Sequence, residues 1–319
     1  MKIVGTLLLL LVVATLHLFI PLESLSAARA IDPALATTLL VELRLPRTLL
    51  ALGYGATLGI TGAALQALFA NPLASPDITG SSSGAAMGAV FASYWLGLTN
   101  PILLALAGAL GAALALIVLL ALAGRRTDKV ALLLAGLAVS LAAGAATSLM
   151  LALAPSPFAF YDSFEWLMGS FTDRSLAQAA AALIPAAIAC ALLLRRARAL
   201  DLMALGDDVL ASLGHRPRRL GIEIICLSAV AVGACVSVCG AIGFVGLIAP
   251  VVARKLSRGH PGRALAPAGL IGGILVLLAD LGLRSIPLDH AIPVGVVTTL
   301  IGTPFFIVIL LSMRGKMTS

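Results

Sequence analysis

The residues best suited to recognising another molecule are three arginines that flank long apolar runs. Arg44 and Arg47 lie on either side of a proline in RLPRTLL, and Arg284 follows a later apolar run. A guanidinium presents a planar fork of N–H donors that matches the two oxygens of a carboxylate. The three arginines therefore predict a docking site for acidic residues of a partner, and anchoring in lipid headgroups is the alternative use of the same charge.

Residue patterns for catalysis are missing from the sequence. None of the four lysines is followed by Ser or Thr, so no Gly-x-x-x-x-Gly-Lys-Ser/Thr loop can hold the phosphates of ATP. No His-Glu-x-x-His occurs, and Cys235 and Cys239, although four residues apart, have no histidine or acid to complete a metal set. We predict no catalytic residue, no metal site and no cofactor bound by this chain.

A hydrophilic segment, RRARALDLMALGDDVLASLGHRPRRL (195–220), interrupts the apolar pattern. Asp201 can cap the start of a first short helix, and Gly206 can end it. Asp207 or Asp208 can cap a second helix, which Gly214 can end. Apolar residues on the second helix are Val209, Leu210 and Leu213. The pattern predicts two short helices that dock a partner at the membrane surface, or alternatively an amphipathic loop that lies on lipid headgroups.

Membrane-spanning helices must hold these residues in place. The chain is 61% hydrophobic and 11% charged, whereas about a quarter of the residues of a soluble domain are charged. A spanning helix needs roughly 20 apolar residues. The uncharged runs predict a single all-α polytopic domain over residues 1–319 with about ten transmembrane helices, in the runs 3–22, 48–76, 78–124 (two spans), 130–161, 175–194, 224–253 (two spans), 264–279 and 291–313.

The basic residues predict how the chain is oriented in the membrane. The net charge of +7 is carried by clumps of Lys and Arg between the apolar runs, not by a nucleic-acid-binding motif. Most of these clumps fall on one side, which predicts that both termini are cytoplasmic. The N-terminal run also resembles a secretory signal that ends at Ala28-Arg29-Ala30, but it is longer than the roughly 7 to 15 apolar residues of a signal, so we expect a retained first helix.

The stretch NPLASPDITG (71–80) lies between the second and third predicted spans. Pro72 and Pro76 can end one helix, and Asp77 can cap the next. We predict a tight turn at the cytoplasmic surface.

Several long stretches resemble the iron–siderophore, haem and cobalamin class of ABC-importer permeases, the FecCD-like transmembrane subunits. The stretches are RLPRTLLALGYGATLGITGAALQALFANPLASPDITGSSSGAAMGAV (44–90), GACVSVCGAIGFVGLIAP (233–250) and LLADLGLRSIPLDHAIPVGVVTTLIGTPFFIVILL (277–311), with ALGDDVLASLG (204–214) between them. The chain departs from the family pattern at Val251, where a histidine is common, and at Ala291-Ile292-Pro293, where Glu-Leu-Pro is common.

The resemblance implies a permease in the cytoplasmic (inner) membrane that pairs with a second permease subunit. It further implies two ATP-binding cassette subunits that bind ATP-Mg, and an extracytoplasmic substrate-binding protein. Within the cytoplasmic segment 195–219, the residues that would couple to the ATPase are Asp201, Leu205, Gly206, Asp207, Asp208, Val209, Leu210, Leu213 and Gly214. Arg44, Arg47 and Arg284 would dock the binding protein, and the pathway would be lined by Ser140, Thr147 and Ser148.

The ligand and the transport class have alternatives. An iron–siderophore complex is the favoured ligand, while importers of haem, cobalamin and molybdate share the scaffold. A secondary transporter or channel is the alternative of a different class. No carboxylate pair lies inside a predicted span, and this argues against a proton relay.

Overall fold

The computed structural model describes residues 2–124, 129–154, 156–214, 216–285 and 292–317, and in these ranges it contains helices and turns but no β-strand. The α-helices are α1 (Lys2–Phe19), α2 (Leu22–Ile31), α3 (Pro33–Thr38), α4 (Leu45–Leu68), α5 (Ser81–Trp95), α6 (Pro101–Ala123), α7 (Lys129–Ala152), α8 (Pro157–Leu167), α9 (Leu176–Arg195), α10 (Ala197–Met203), α11 (Asp207–Ser212), α12 (Pro217–Cys239), α13 (Val245–Leu256), α14 (Leu265–Ser285) and α15 (Val294–Met317). A π-helical turn, Leu39–Arg44, joins α3 to α4.

The apolar helices confirm the prediction of an all-α polytopic membrane protein. Among the described residues, six helical segments are long and apolar enough to cross a membrane: Pro33–Leu68, α6, α7, α9, α12 and α14. A seventh results if α1 and α2, which are bent by 44° relative to each other, form one span. The apolar helices α5 and α13 have only 15 and 12 residues.

Small residues let α4 pass through the middle of the bundle. It packs against α9, α12, α13 and α14. A Cβ on Gly55 would collide with the backbone of Gly272, and one on Gly59 would collide with the backbone of Ala268. Gly111 of α6 meets α5 in the same way. Close backbone approach replaces the hydrophobic driving force that helices lack in lipid, so these glycines hold the bundle together.

The stretch 71–80 lies deeper than the predicted surface turn. α4 ends at Leu68, next to Gly221 at the start of α12, and the chain then turns back into the bundle. The Ile78 carbonyl packs on Gly136, and Ser140 Oγ donates to the Asp77 carbonyl at 2.9 Å. These α7 residues lie about 10 and 16 Å from the start of that helix at 1.5 Å per residue. The prediction of a turn at the surface is therefore wrong.

Internal hydrogen bonds explain how irregular backbone is accommodated at this depth. Asn71 Oδ1 accepts from the Leu73 amide at 2.9 Å, and the amides of Asn71, Ala74, Ile78 and Gly80 all donate to carbonyls of the same region. Backbone of this kind is tolerated at membrane depth where protein surrounds it. The Asp77 carboxylate accepts from the Ser82 hydroxyl at 3.2 Å, while Gly80 is the residue that precedes α5, so Asp77 is not its N-cap.

Candidate functional site

The segment 195–219 forms two short helices, α10 and α11, at one end of the bundle, which we call the α10–α11 end. Three contacts fix its base. Asp201 Oδ1 accepts from the Gly262 amide at 2.7 Å, Arg196 pairs with Glu223 at 2.8 Å, and Lys129 pairs with Asp207 at 2.8 Å. These partners lie on α7, on α12 and in the loop between α13 and α14, so the segment contacts three other parts of the bundle.

The helix caps differ from the predicted ones. Asp201 lies inside α10, whose N-cap is Arg196, so its carboxylate binds another segment and does not begin a helix. Gly206 is the N-cap of α11 with φ 109°, and Gly214 follows that helix with φ 83°. The two glycines occur where left-handed backbone is needed. Asp207 and Asp208 occupy the first turn of α11, where negative charge suits the helix dipole.

The apolar residues of the segment divide into a buried one and three exposed ones. Leu210 is fully buried and anchors α11 to the bundle. Leu205, Val209 and Leu213 are 65%, 39% and 56% exposed. Val209 and the C-cap Leu213 are four residues apart and share one side of α11, and Leu205 lies in the turn that precedes this helix. We call these three residues the apolar coupling patch. Exposed apolar side chains grouped in this way are typical of a surface that contacts another protein or a membrane.

The three predicted docking arginines lie together at the opposite end of the bundle, where α1 ends. Arg44, which is 5% exposed, donates to the carbonyls of Leu18, Phe19 and Pro21 and to Ser24 Oγ. Arg284 donates to the carbonyls of His17 and Ile20 at 2.9 and 2.7 Å. The last carbonyls of a helix have no partner within it. Arg44, just before α4, and Arg284, in α14, supply donors to these carbonyls and so cap the C-terminus of α1.

A buried ion-pair network joins the same helices. Asp280 is 1% exposed and accepts two hydrogen bonds from Arg47, from Nε and Nη2, each at 2.8 Å. His17 Nε2 lies 2.8 Å from the same carboxylate, and its Nδ1 lies 2.8 Å from Thr48 Oγ1. Sequence reasoning missed this network. The available signal was a histidine inside an apolar run, since a buried polar side chain requires a partner.

The network engages the arginines that were predicted to dock a binding protein. In this structure all three arginines have partners within the chain, and the side chain of Arg47 is 22% exposed. Docking of a binding protein by Arg44, Arg47 and Arg284 stays a prediction. It would have to use donors that remain on these side chains, or exchange one carboxylate for another.

A groove of about 780 Å³ runs along α15 and is the best candidate for a pathway wall. Its polar groups are Asp77, Thr299 and Thr303, and the other lining residues are Leu167, Met168, Ala241, Gly243, Gly295, Val296, Leu300 and Pro304. A Cβ on Gly295 would collide with the carbonyl of Met168, so the glycine lets α15 approach the residues after α8 closely.

None of the predicted pathway residues of α7 lines this groove. Ser140 supports Asp77 through the Asp77 carbonyl, Thr147 is buried, and Ser148 is exposed. The hydroxyls of Thr147 and Ser148 both donate to carbonyls of their own helix. Their part in a pathway stays a prediction. Thr299 and Thr303, four residues apart in α15, were a signal that the sequence reasoning overlooked.

Comparison with known proteins connects this architecture to transport. The model of the FecCD transport family matches residues 4–312. The Fe(3+)-citrate import system permease protein YfmE of Bacillus subtilis is 36% identical, over 84% of this chain and 80% of its own length. The achromobactin transport system permease protein CbrC of Dickeya dadantii is 37% identical, over 92% and 84%. The cobalamin import system permease protein BtuC of Halobacterium salinarum is 37% identical, over 87% and 74%.

A solved structure shares the whole fold. It is a metal-chelate type ABC transporter in an inward-facing conformation, and it superimposes with a TM-score of 0.86 at 30% identity over 97% of this chain and 98% of its own. Since the family match runs almost from end to end and the relatives are permease proteins of similar length, this chain belongs to the FecCD transport family of ABC-transporter permeases.

Proposed function

We propose that this chain is the transmembrane permease of an ATP-driven importer that carries iron–siderophore complexes into the cell. Its partners are a second permease subunit, two ATP-binding cassette subunits that bind ATP-Mg, and an extracytoplasmic substrate-binding protein. The observation that supports this most strongly is the apolar coupling patch, held outward on a segment whose base is bonded to three other parts of the bundle. We further propose ten membrane spans, with both termini and the α10–α11 end in the cytoplasm.

The proposed mechanism divides the work between the chain and its partners. ATP binding brings the two ATPase subunits together and moves α10 and α11. The Asp201–Gly262 and Lys129–Asp207 contacts pass this motion to the loop before α14 and to α7. The 71–80 segment packs on α7, so it moves with that helix and changes the groove that Asp77 lines. ATP hydrolysis then resets the pathway.

The ligand is proposed from the relatives and from the groove. Two of the relatives are named for Fe(3+)-citrate and achromobactin transport. Thr299 and Thr303 each donate to a carbonyl of their own helix, and most of the other lining residues are apolar. Such a wall accommodates a large ligand and binds it weakly, so the binding protein would select the ligand. Haem, cobalamin and molybdate are alternatives on the same scaffold.

Reconstitution tests this function. The chain is placed in vesicles with its ATPase and its binding protein, and ATP turnover is measured with ferric chelates, haem, cobalamin or molybdate. We expect stimulation by a ferric chelate. Stimulation by haem, cobalamin or molybdate alone would replace the ligand assignment. Uptake by vesicles that contain this chain alone, driven by an ion gradient, would instead support a secondary transporter.

A further inference from the structure

A polar cavity of about 510 Å³ lies at the end of the bundle opposite α10 and α11, where α6 and α9 begin. We call it the head pocket. Its polar lining includes Ser93, Ser163, Ser170, Thr172, Asp173 and Arg174. The function proposed above leaves this cavity without a role.

Arg174 brings to the head pocket a guanidinium with an unsatisfied hydrogen-bond donor. Its Nε is buried and has no hydrogen-bond partner. In the part of the chain that the structure describes, neither Arg174 nor Asp173 forms an ion pair. A buried donor without a partner is costly because it has lost its bonds to water. The pocket therefore suits a group that brings an acceptor to Arg174 and a positive charge to Asp173.

An apolar groove of about 410 Å³ adjoins the head pocket, and Ser237 and Val238 line both. α6 and α9 each pack on α12 but scarcely on each other, so α12 forms the floor of the groove. Apart from Ser237, its lining is apolar or small, and along α6 it runs from Ile102 to Ile117. This length is about 22 Å at 1.5 Å per residue, more than the roughly 15 Å of hydrocarbon in one leaflet.

We propose that the head pocket and the groove together bind one glycerophospholipid of the outer leaflet with a zwitterionic headgroup. Arg174 binds the phosphate, Asp173 binds the ammonium, and an acyl chain lies between α6 and α9. Paired opposite charges in the protein match paired opposite charges in the headgroup. Trp166, which also lines the head pocket, belongs to a residue type enriched where headgroups meet the hydrocarbon.

The position of this site relative to the pathway groove suggests why a lipid there would matter. Trp166 lines the head pocket, while the next two residues, Leu167 and Met168, line the groove along α15. The end of α8 is thus a thin wall between lipid and pathway.

Native mass spectrometry of the purified full chain tests the proposal. The protein is stripped of lipid in mild detergent and given phosphatidylethanolamine, phosphatidylglycerol or inorganic phosphate. We expect one retained phosphatidylethanolamine per chain. Arg174→Gln should weaken the affinity for phosphatidylethanolamine about tenfold, the usual effect of losing a charged hydrogen bond. Asp173→Asn should remove the preference for phosphatidylethanolamine over phosphatidylglycerol.

A second pair of variants tests the acyl-chain groove separately from the headgroup. Ala181 lines the groove, and its neighbour Ala180 is exposed but does not line it. Ala181→Phe should abolish lipid retention, and Ala180→Phe should leave it unchanged. Arg29→Gln, at an exposed arginine of α2, is the charge control. Wild-type retention in both Arg174→Gln and Ala181→Phe would overturn the proposal. If inorganic phosphate is retained, and its retention requires Arg174 but persists in Ala181→Phe, the pocket binds a free anion instead.

Discussion

At the scale of single residues, a buried carboxylate near the end of α1 joins three helices. Asp280 is buried with Arg47 and His17, and the three come from helices far apart in the chain. Removing one partner of a buried pair leaves the other charge unpaired, which costs more than the pair itself contributes. These residues therefore hold α1 against α4 and α14, whatever they contribute to docking.

Asp280→Ala should lower the free energy of unfolding by about 3 to 5 kcal/mol, because the buried His17 and the largely covered Arg47 would both lose their carboxylate partner. Chemical denaturation of the purified protein in detergent measures the loss. Asp208→Ala, which removes an exposed carboxylate of α11, should change stability by less than about 0.5 kcal/mol. Equal effects of the two substitutions would contradict the role given to the network.

A substitution of Arg284 can separate its structural role, capping the end of α1, from its predicted role in docking the binding protein. Arg284→Ala removes the donors to His17 and Ile20, so we expect a loss of about 1 to 3 kcal/mol. The affinity for the binding protein is measured in the same preparation at a temperature where the variant stays folded. Weaker docking by the folded variant would support the docking prediction, and unchanged docking would reduce Arg284 to a helix cap.

At the scale of elements, α7 and α11 show how short segments are held in place. The 71–80 segment reaches its depth because Gly136 of α7 leaves room for the Ile78 carbonyl. α11 stays on the bundle through Leu210 and keeps its apolar coupling patch outside.

Gly136→Ala should destabilise the protein by about 1 to 3 kcal/mol, the range for an overpacked interior. The added methyl group would push the Ile78 carbonyl away from α7. Gly144→Ala on the same helix is the matched control, because nothing lies within 4 Å of its added Cβ. That change should be neutral or stabilise the helix by up to about 1 kcal/mol. Thermal unfolding in detergent compares the two, and a harmless Gly136→Ala would contradict the close packing of the turn.

Val209→Asp should abolish co-purification of the ATPase while leaving the permease folded, because it puts a charge into the apolar coupling patch. Ala211, two positions further along α11 and also exposed, points to a different side of the helix. Ala211→Asp should therefore retain the ATPase. If Val209→Asp still co-purifies with it, the patch is not the coupling surface.

At the scale of the whole molecule, the proposed transport pathway follows the groove along α15. Thr299 is exposed in it, on the side where Met168 and Gly243 complete the wall. A bulky side chain here would block a pathway without touching the α10–α11 end.

Thr299→Trp should reduce ligand uptake by reconstituted vesicles at least about tenfold, with the ATPase still bound. The rationale is steric, since the indole would fill groove volume that the ligand needs and packed protein surfaces do not yield to added bulk. Thr299→Ser keeps the hydroxyl and should transport normally. Normal uptake by Thr299→Trp would show that the ligand does not pass this wall.

Local chemistry in the sequence determined the membrane class and the two short helices α10 and α11. A run of about 20 apolar residues forms a helix in lipid whatever surrounds it, because its backbone must bond to itself. Gly206 and Gly214 marked the turns that follow α10 and α11, because backbone with positive φ favours glycine. The long motifs between residues 44 and 311 indicated the family because a contiguous motif can be recognised without knowledge of the fold.

Tertiary structure alone decided which polar groups meet. His17 and Asp280 are 263 residues apart, and no local pattern connects them. Helices that are apolar on every side do not reveal which face turns inward, so the sequence could not place α7 beside the groove and α15 along it. The depth of the 71–80 segment was hidden as well, because it depends on the room that Gly136 and Gly246 leave on neighbouring helices. Close packing of small residues determines these positions, and that packing exists only when the helices are assembled.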